Sequence, residues 1–408
     1  MEIQRWFAFG VAACFFVAAG SPEPAVAKAP DLSGRSSTVF EWYSVGSSEN
    51  EVTPVYQYLL LNATDLDENG LNFRGYGRLA ESFDDDVDVD SRLYYAYLEK
   101  KRLVGNLDVK LGRQFIATTA GASIMDGLLL KLKGPGFLRF SLYGGGDVAY
   151  YRGYNAKDLI WGAEVRGKFP GELDLGISYL QKWGDSDLTH ELMGLDGDYD
   201  FLDMLNLYTE VQYNLLIESV SYFLAGANYH QSSDWSLRAE YLYSLPVFSS
   251  TSIYSVFAAD EYEEVMGELR YRINTGLYSF LRLQYEIYED VEDAEVIEAG
   301  IEKIRTDKFS GYLSGVYRND EDGQDMQGVK AHVAYLIQKK LQLGIGANVD
   351  VLERRLDEDE DETTSGRYWV DASYAFTKRI SLQAKAEMVE SDLWDEYYRG
   401  RIRLNTSF

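Results

Sequence analysis

Tyr397-Tyr-Arg-Gly-Arg-Ile-Arg-Leu-Asn-Thr-Ser-Phe408 sorts its side chains by parity. Tyr398, Gly400, Ile402, Leu404, Thr406 and Phe408 fall on one side, and Arg399, Arg401, Arg403, Asn405 and Ser407 on the other. A period of two is that of a β-strand, whose successive side chains point to opposite faces. One face is apolar and the other cationic, so the two faces meet different solvents. A strand of about ten residues, apolar outward and polar inward, is what a membrane-spanning β-barrel needs, because a closed ring of strands satisfies its backbone groups without water.

The same alternation recurs back along the chain to Ser36 in stretches of about ten residues. It predicts an all-β protein: a single antiparallel transmembrane β-barrel of about 22 strands, within a range of 18–22. The first stretch is 36–45 and the last 397–408; 106–115, 125–133 and 190–200 are among those between. Counting back from the C-terminus, every second connection is a tight turn, such as Thr377-Lys-Arg379, Gln338-Lys-Lys340 and Pro170-Gly171. The connections between them are mostly longer, including 81–90, 116–124, 183–189, 247–261, 353–365 and 390–396. Short turns on one rim and long loops on the other are the asymmetry of an outer-membrane barrel. These patterns, the terminal Phe408 and the strand end Leu111-Gly-Arg-Gln114 together resemble the outer-membrane β-barrel proteins of Gram-negative bacteria, and porin-like channels among them. The resemblance implies short periplasmic turns, longer extracellular loops and Phe408 as the C-terminal barrel signature. It also implies partners: outer-membrane lipid, lipopolysaccharide and the barrel-insertion machinery.

Met1 to Ala27 reads as a secretory signal, with Arg5 in a short head, an apolar run from Trp6 to Ala19 and a cleavage point after Ala27. Val11-Ala-Ala-Cys14 has the look of a lipoprotein box, but the apolar run continues past it. The two segments are thus a signal peptide, 1–27, and a barrel, 28–408. The one cysteine, Cys14, lies in the leader, which leaves the mature chain without a disulfide, a thiolate metal site or a haem-attachment motif. No cofactor is expected.

The chain carries a formal charge of −27, which argues against nucleic acid as a partner. Essentially all of that charge falls in the long-rim connections, at Asp84–Asp90, Glu289–Asp293, Asp320–Asp325 and Asp357–Glu362. Such runs keep a surface solvated; they also set up a negative potential that gathers cations or bridges lipopolysaccharide through divalent metal.

Charge also assigns the faces. In 106–115, Leu107, Val109, Leu111 and Phe115 oppose Asp108, Lys110, Gly112 and Gln114. Lysine or arginine against lipid at mid-membrane costs about 2–4 kcal/mol, so the charged parity faces inward. The candidate pore lining is therefore Arg74, Arg78, Lys110, Lys131, Lys133, Arg139, Glu164, Arg166, Arg238, Glu240, Glu268, Arg270, Arg272, Lys385, Arg399, Arg401 and Arg403. Interleaved charges of both signs can sustain a transverse field in a wet lumen, or they can pair across the wall and brace it. Aromatics near strand ends, including Trp42-Tyr43, Tyr56, Tyr58, Trp183, Trp235, Trp394 and Tyr397-Tyr398, fit interfacial girdles better than a stacking track for sugars.

Two motifs fail. Asp65-Leu-Asp-Glu-Asn-Gly70 opens like a calcium loop, but Tyr76 stands where a bidentate glutamate is required, so a hairpin turn is expected. His190, His230 and His332 lie on separate strands without a nucleophile in sight, and no enzyme is expected. The reading is a passive channel for small hydrophilic solutes or ions. The alternative is an insulating barrel, as in porin–cytochrome conduits, sheathing c-type cytochromes.

Overall fold

The computed structural model describes residues 30–44, 51–67, 70–83, 89–149, 155–232, 234–246, 261–289, 292–320, 325–353, 362–392 and 394–408. The leader and most of the acidic clusters at 84–90, 321–324 and 354–361 fall outside these residues. In chain order the strands are β1 (Asp31–Ser44), β2 (Glu51–Val52), β3 (Pro54–Thr64), β4 (Leu71–Ser82), β5 (Arg92–Val104), β6 (Leu107–Thr118), β7 (Gly121–Lys133), β8 (Leu138–Val148), β9 (Leu159–Phe169), β10 (Leu173–Gly184), β11 (Asp187–Phe201), β12 (Leu205–Asn214), β13 (Ser219–Ser232), β14 (Trp235–Ser244), β15 (Tyr262–Asn274), β16 (Leu277–Tyr288), β17 (Ala294–Lys303), β18 (Phe309–Asp320), β19 (Met326–Ile337), β20 (Leu341–Glu353), β21 (Glu362–Ala375), β22 (Ile380–Ser391) and β23 (Trp394–Ser407). The short β2 leads through Thr53 into β3 and pairs, like it, with β1, so the two make one crossing. The wall therefore has 22 antiparallel crossings.

Each strand pairs with its sequence neighbours, and the ring closes where β1 meets β23, from Arg35↔Ser407 to Tyr43↔Arg399. At the foot of that seam Gly34 N donates to Phe408 O at 3.0 Å and Phe408 N to Gly34 O at 3.1 Å. Closure leaves no sheet edge, which is what permits a sheet to stand in hydrocarbon. The apolar parity forms a belt on one face: Leu111 and Phe115 are 58% and 61% exposed and Ile345 62%, with Ile177, Leu283 and Val370 alike. Only lipid makes so much exposed hydrocarbon stable.

The short-rim turns are short as read. The described part of the 65–70 connection is a hairpin turn, with Leu71 N donating to Asp67 Oδ1 at 2.6 Å and Asp65 in the left-handed region. On the other rim three predicted loops are largely strand instead, one of them 390–396, where β22 runs to Ser391 and β23 begins at Trp394. β6 and β7 pair in unbroken register from Leu107↔Leu132 to Thr118↔Gly121, which reduces the expected 116–124 loop to Thr119-Ala120. The expected 183–189 loop reduces to Asp185-Ser186, both with positive φ, and β11 begins at Asp187. Small residues in Ala117-Thr-Thr-Ala-Gly-Ala-Ser123 imitate a loop, yet all but Thr119 and Ala120 pair in the β6–β7 ladder.

Candidate functional site

The candidate residues lie on the face opposite the apolar belt, since Arg282 stands between the exposed Leu281 and Leu283, and Arg403 between Ile402 and Leu404. They divide into two sectors. From β9 to β18 they are paired. Arg166 reaches Asp196 at 2.8 Å, Asp174 at 3.3 Å and Glu164 at 3.5 Å. Arg238 pairs with Glu240 at 2.6 Å, Arg270 with Glu302 at 2.7 Å and Arg272 with Asp234 at 2.7 Å. Arg282 bridges Glu268 at 2.6 Å and Glu298 at 3.0 Å. Outside that arc, Lys110 meets Glu99 at 3.6 Å, and Lys385 shares Glu387 with Arg367 at 2.6 and 2.7 Å. Partly solvated pairs of this kind order long side chains more than they stabilise the fold.

The rest have no carboxylate partner among the described residues. Arg399, Arg401 and Arg403 descend β23, and Arg74 and Arg78 stand on β4; Arg78 donates to the Asp90 carbonyl at 2.8 Å. Lys131, Lys133 and Arg139 form a second patch, joined through the register Lys133↔Arg139↔Arg166. One sector of the wall is thus internally neutralised, while in the sector from β23 to β4 the arginines have no carboxylate partner among the described residues.

Tyr56 and Tyr58 are not girdle residues: Tyr58 pairs with Arg78, and the Arg78 guanidinium lies 4.7 Å above the Tyr56 ring, which puts both tyrosines on the charged face. Trp42 beside Phe40, and Tyr398, do lie on the apolar face; the side chain of Trp394 is outside the described residues.

One feature of the site escaped sequence reading altogether. The tip of the β6–β7 hairpin leans inward and docks on strands three to five places along the wall, roughly 14–24 Å away at the usual strand spacing. Ala120 N donates to Ser178 Oγ of β10 at 2.8 Å, and Gln212 Nε2 of β12 donates to Ala120 O at 3.1 Å. Thr119 Oγ1 donates to Asp196 Oδ1 of β11 at 2.5 Å, so Asp196 is shared with Arg166. Beneath the hairpin lies an apolar cluster on the otherwise polar face: Ile116, Ala120, Met125, Leu129, Tyr143, Ile160, Leu180 and Leu192. One glycine makes the approach possible: a Cβ on Gly194 would collide with the backbone of Thr119 and Ala120. Apolar residues and glycines on the polar parity of β6–β11 were the available signal, since they mark a place where water is replaced by protein.

No protein-family model matches the sequence, and no curated protein matches it. Among solved structures, a mutant of the ferric enterobactin receptor PfeA from Pseudomonas aeruginosa shares 10% identity at a TM-score of 0.63, over 92% of this chain and 80% of that one. The translocation pore of the P pilus usher PapC shares 9% at 0.50, over 92% and 99%. OpdQ of Pseudomonas aeruginosa shares 11% at 0.48, over 94% and 99%. At such identities the likeness is one of fold, and the fold is that of a large outer-membrane β-barrel.

Proposed function

We propose that this chain is an outer-membrane channel for passive diffusion of small hydrophilic solutes or ions, with residues 1–27 as its export signal. The observation that carries the reading is the set of solvent-exposed arginines on the inner face that have no carboxylate partner among the described residues, Arg74, Arg399 and Arg401. A guanidinium without a counter-charge is stable only in water, so the lumen they enter is wet. Geometry agrees: 22 strands at about 4.8 Å spacing and about 40° tilt enclose a circular backbone radius of about 22 Å, more than wall side chains fill. The docked β6–β7 hairpin narrows this space on one side, and the seventeen candidate residues line what is left. The two better-scoring solved structures are described as a receptor and a translocation pore, not as enzymes. Lipopolysaccharide and the insertion machinery are the natural partners of such a barrel; no observation favours a cytochrome sheath. Planar-bilayer recording of the purified, folded protein tests the proposal. Steady conductance supports it, and silence from inserted protein refutes it.

A further inference from the structure

The wall from β23 to β5 carries a repeat that neither the alternation nor the charge count disclosed. Four successive rows of the strand register each carry a tyrosine and an arginine on the inner face, side by side in the second and fourth and with one residue between them in the first and third. Arg403, Val39 and Tyr56 share the first row. Ser37, Tyr58 and Arg78 share the second. Arg35, Leu60, Tyr76 and Tyr95 share the third, and Asn62, Arg74 and Tyr97 the fourth. Rows are two residues apart, about 6.8 Å, and descend from the long-loop rim towards the short-turn rim.

The tyrosines touch one another in sequence. Ring centroids run Tyr56–Tyr58 6.2 Å, Tyr58–Tyr76 6.3 Å, Tyr76–Tyr95 5.8 Å and Tyr95–Tyr97 5.8 Å. A β-bulge between Tyr76 and Gly77 brings Tyr94 to the same side, 4.9 Å from Tyr76 and nearly parallel to it at 21°. Rings in such offset contact cover part of one another's faces and turn edges and hydroxyls to the lumen. The hydroxyls of Tyr56, Tyr76, Tyr95 and Tyr97 hydrogen-bond to no other described group, and neither do the guanidinium groups of Arg35 and Arg74. Hydroxyls and guanidinium groups held at a fixed repeat, several of them without a partner among the described residues, suit a ligand that repeats too.

We infer that this staircase is a binding track for a short chain of acidic sugars. The inference rests on the channel reading above. Carboxylates suit the forked guanidinium groups, bidentate and charge-assisted. Sugar hydroxyls suit the phenol rail. A nucleic-acid strand needs open ring faces on which to stack its bases, and Tyr58, Tyr76 and Tyr94 have theirs against each other. A single small acid would occupy one row and leave the repeat without purpose.

The probe is trigalacturonate, read by transient block of single-channel current in a planar bilayer and by calorimetry in detergent. Maltotriose and monomeric galacturonate are the comparisons. Trigalacturonate should bind at least about tenfold more tightly than either, since each charge-assisted contact is worth roughly that factor. Arg74→Gln and Arg35→Gln should each weaken it by about tenfold, and Tyr76→Leu should weaken both sugar chains while the folded barrel still conducts. Equal affinity for maltotriose overturns the role of the arginines, and equal affinity for the monomer overturns the repeat. Normal conductance without binding of trigalacturonate overturns the inference but leaves the channel standing. Calorimetric binding to a barrel that never conducts would keep the track and overturn the channel.

Discussion

Undocking the β6–β7 hairpin is the perturbation with the best-defined geometry. In Gly194→Val the new side chain meets the Ala120 amide nitrogen and the Thr119 carbonyl carbon, which are backbone atoms and cannot rotate aside. Restoring ordinary carbon contact distances requires the turn to retreat by roughly 1 Å or more. That carries the 2.8 Å bond to Ser178 and the 3.1 Å bond to Gln212 out of range. Two neutral hydrogen bonds at about 0.5–1.5 kcal/mol each amount to about 1–3 kcal/mol, a shift of about 5- to 150-fold in the ratio of docked to undocked hairpin. Conductance in a bilayer is the assay. Gly194→Val should conduct more than the parent and flicker between two levels, with Gly194→Ala between them. A Gly194→Val barrel that shows the parent's native mobility on a gel and the parent's conductance would refute the claim that the docked tip narrows the lumen.

Face assignment is tested by moving a charge across the wall. Ile345→Arg on the apolar belt should lower stability in urea by about 2–4 kcal/mol if it sits near mid-membrane, whereas Gln284→Arg on the inner face should change it by less than about 1 kcal/mol. Arg282→Ala strips the shared partner from Glu268 and Glu298; the reversal potential in a salt gradient should move towards cation preference, and an unchanged potential would mean that this pair of carboxylates does not face the ion path. Removing Phe408 deletes both hydrogen bonds at the foot of the β1–β23 seam, and a lower temperature for loss of the folded gel form is expected. Asp196→Asn should combine two effects, weakening the hold on Thr119 and leaving Arg166 with Asp174 and Glu164; conductance should rise, but by less than in Gly194→Val.

Parity was legible wherever lipid and water imposed it. Tyr397–Phe408, 106–115 and 136–147 alternate because each strand has an apolar belt on one side and a charged inner face on the other, a requirement local enough to be written in consecutive residues. The parity of the last strand was legible for the same reason, since Arg399, Arg401 and Arg403 had to face inward whatever strand they met. The hairpin was not. Thr119 and Ala120 find their partners on β10, β11 and β12, a contact set by tertiary approach that no period announces, and the small residues around them read as a loop. Pairing was hidden too: which of Arg282 and Arg403 finds a carboxylate depends on which strand lies alongside. Tyr56 and Tyr58 were misplaced because an aromatic near a strand end serves equally at a membrane interface and in a lumen, and only the register with Arg78 separates the two.

Single-channel recording of the purified, folded protein across a planar bilayer, with a salt gradient imposed, tests the central claim most directly. The proposed wide, wet lumen, lined by arginines without a carboxylate partner among the described residues, predicts a steady, ohmic conductance with a measurable reversal potential. Folded protein that inserts and passes no current would contradict it.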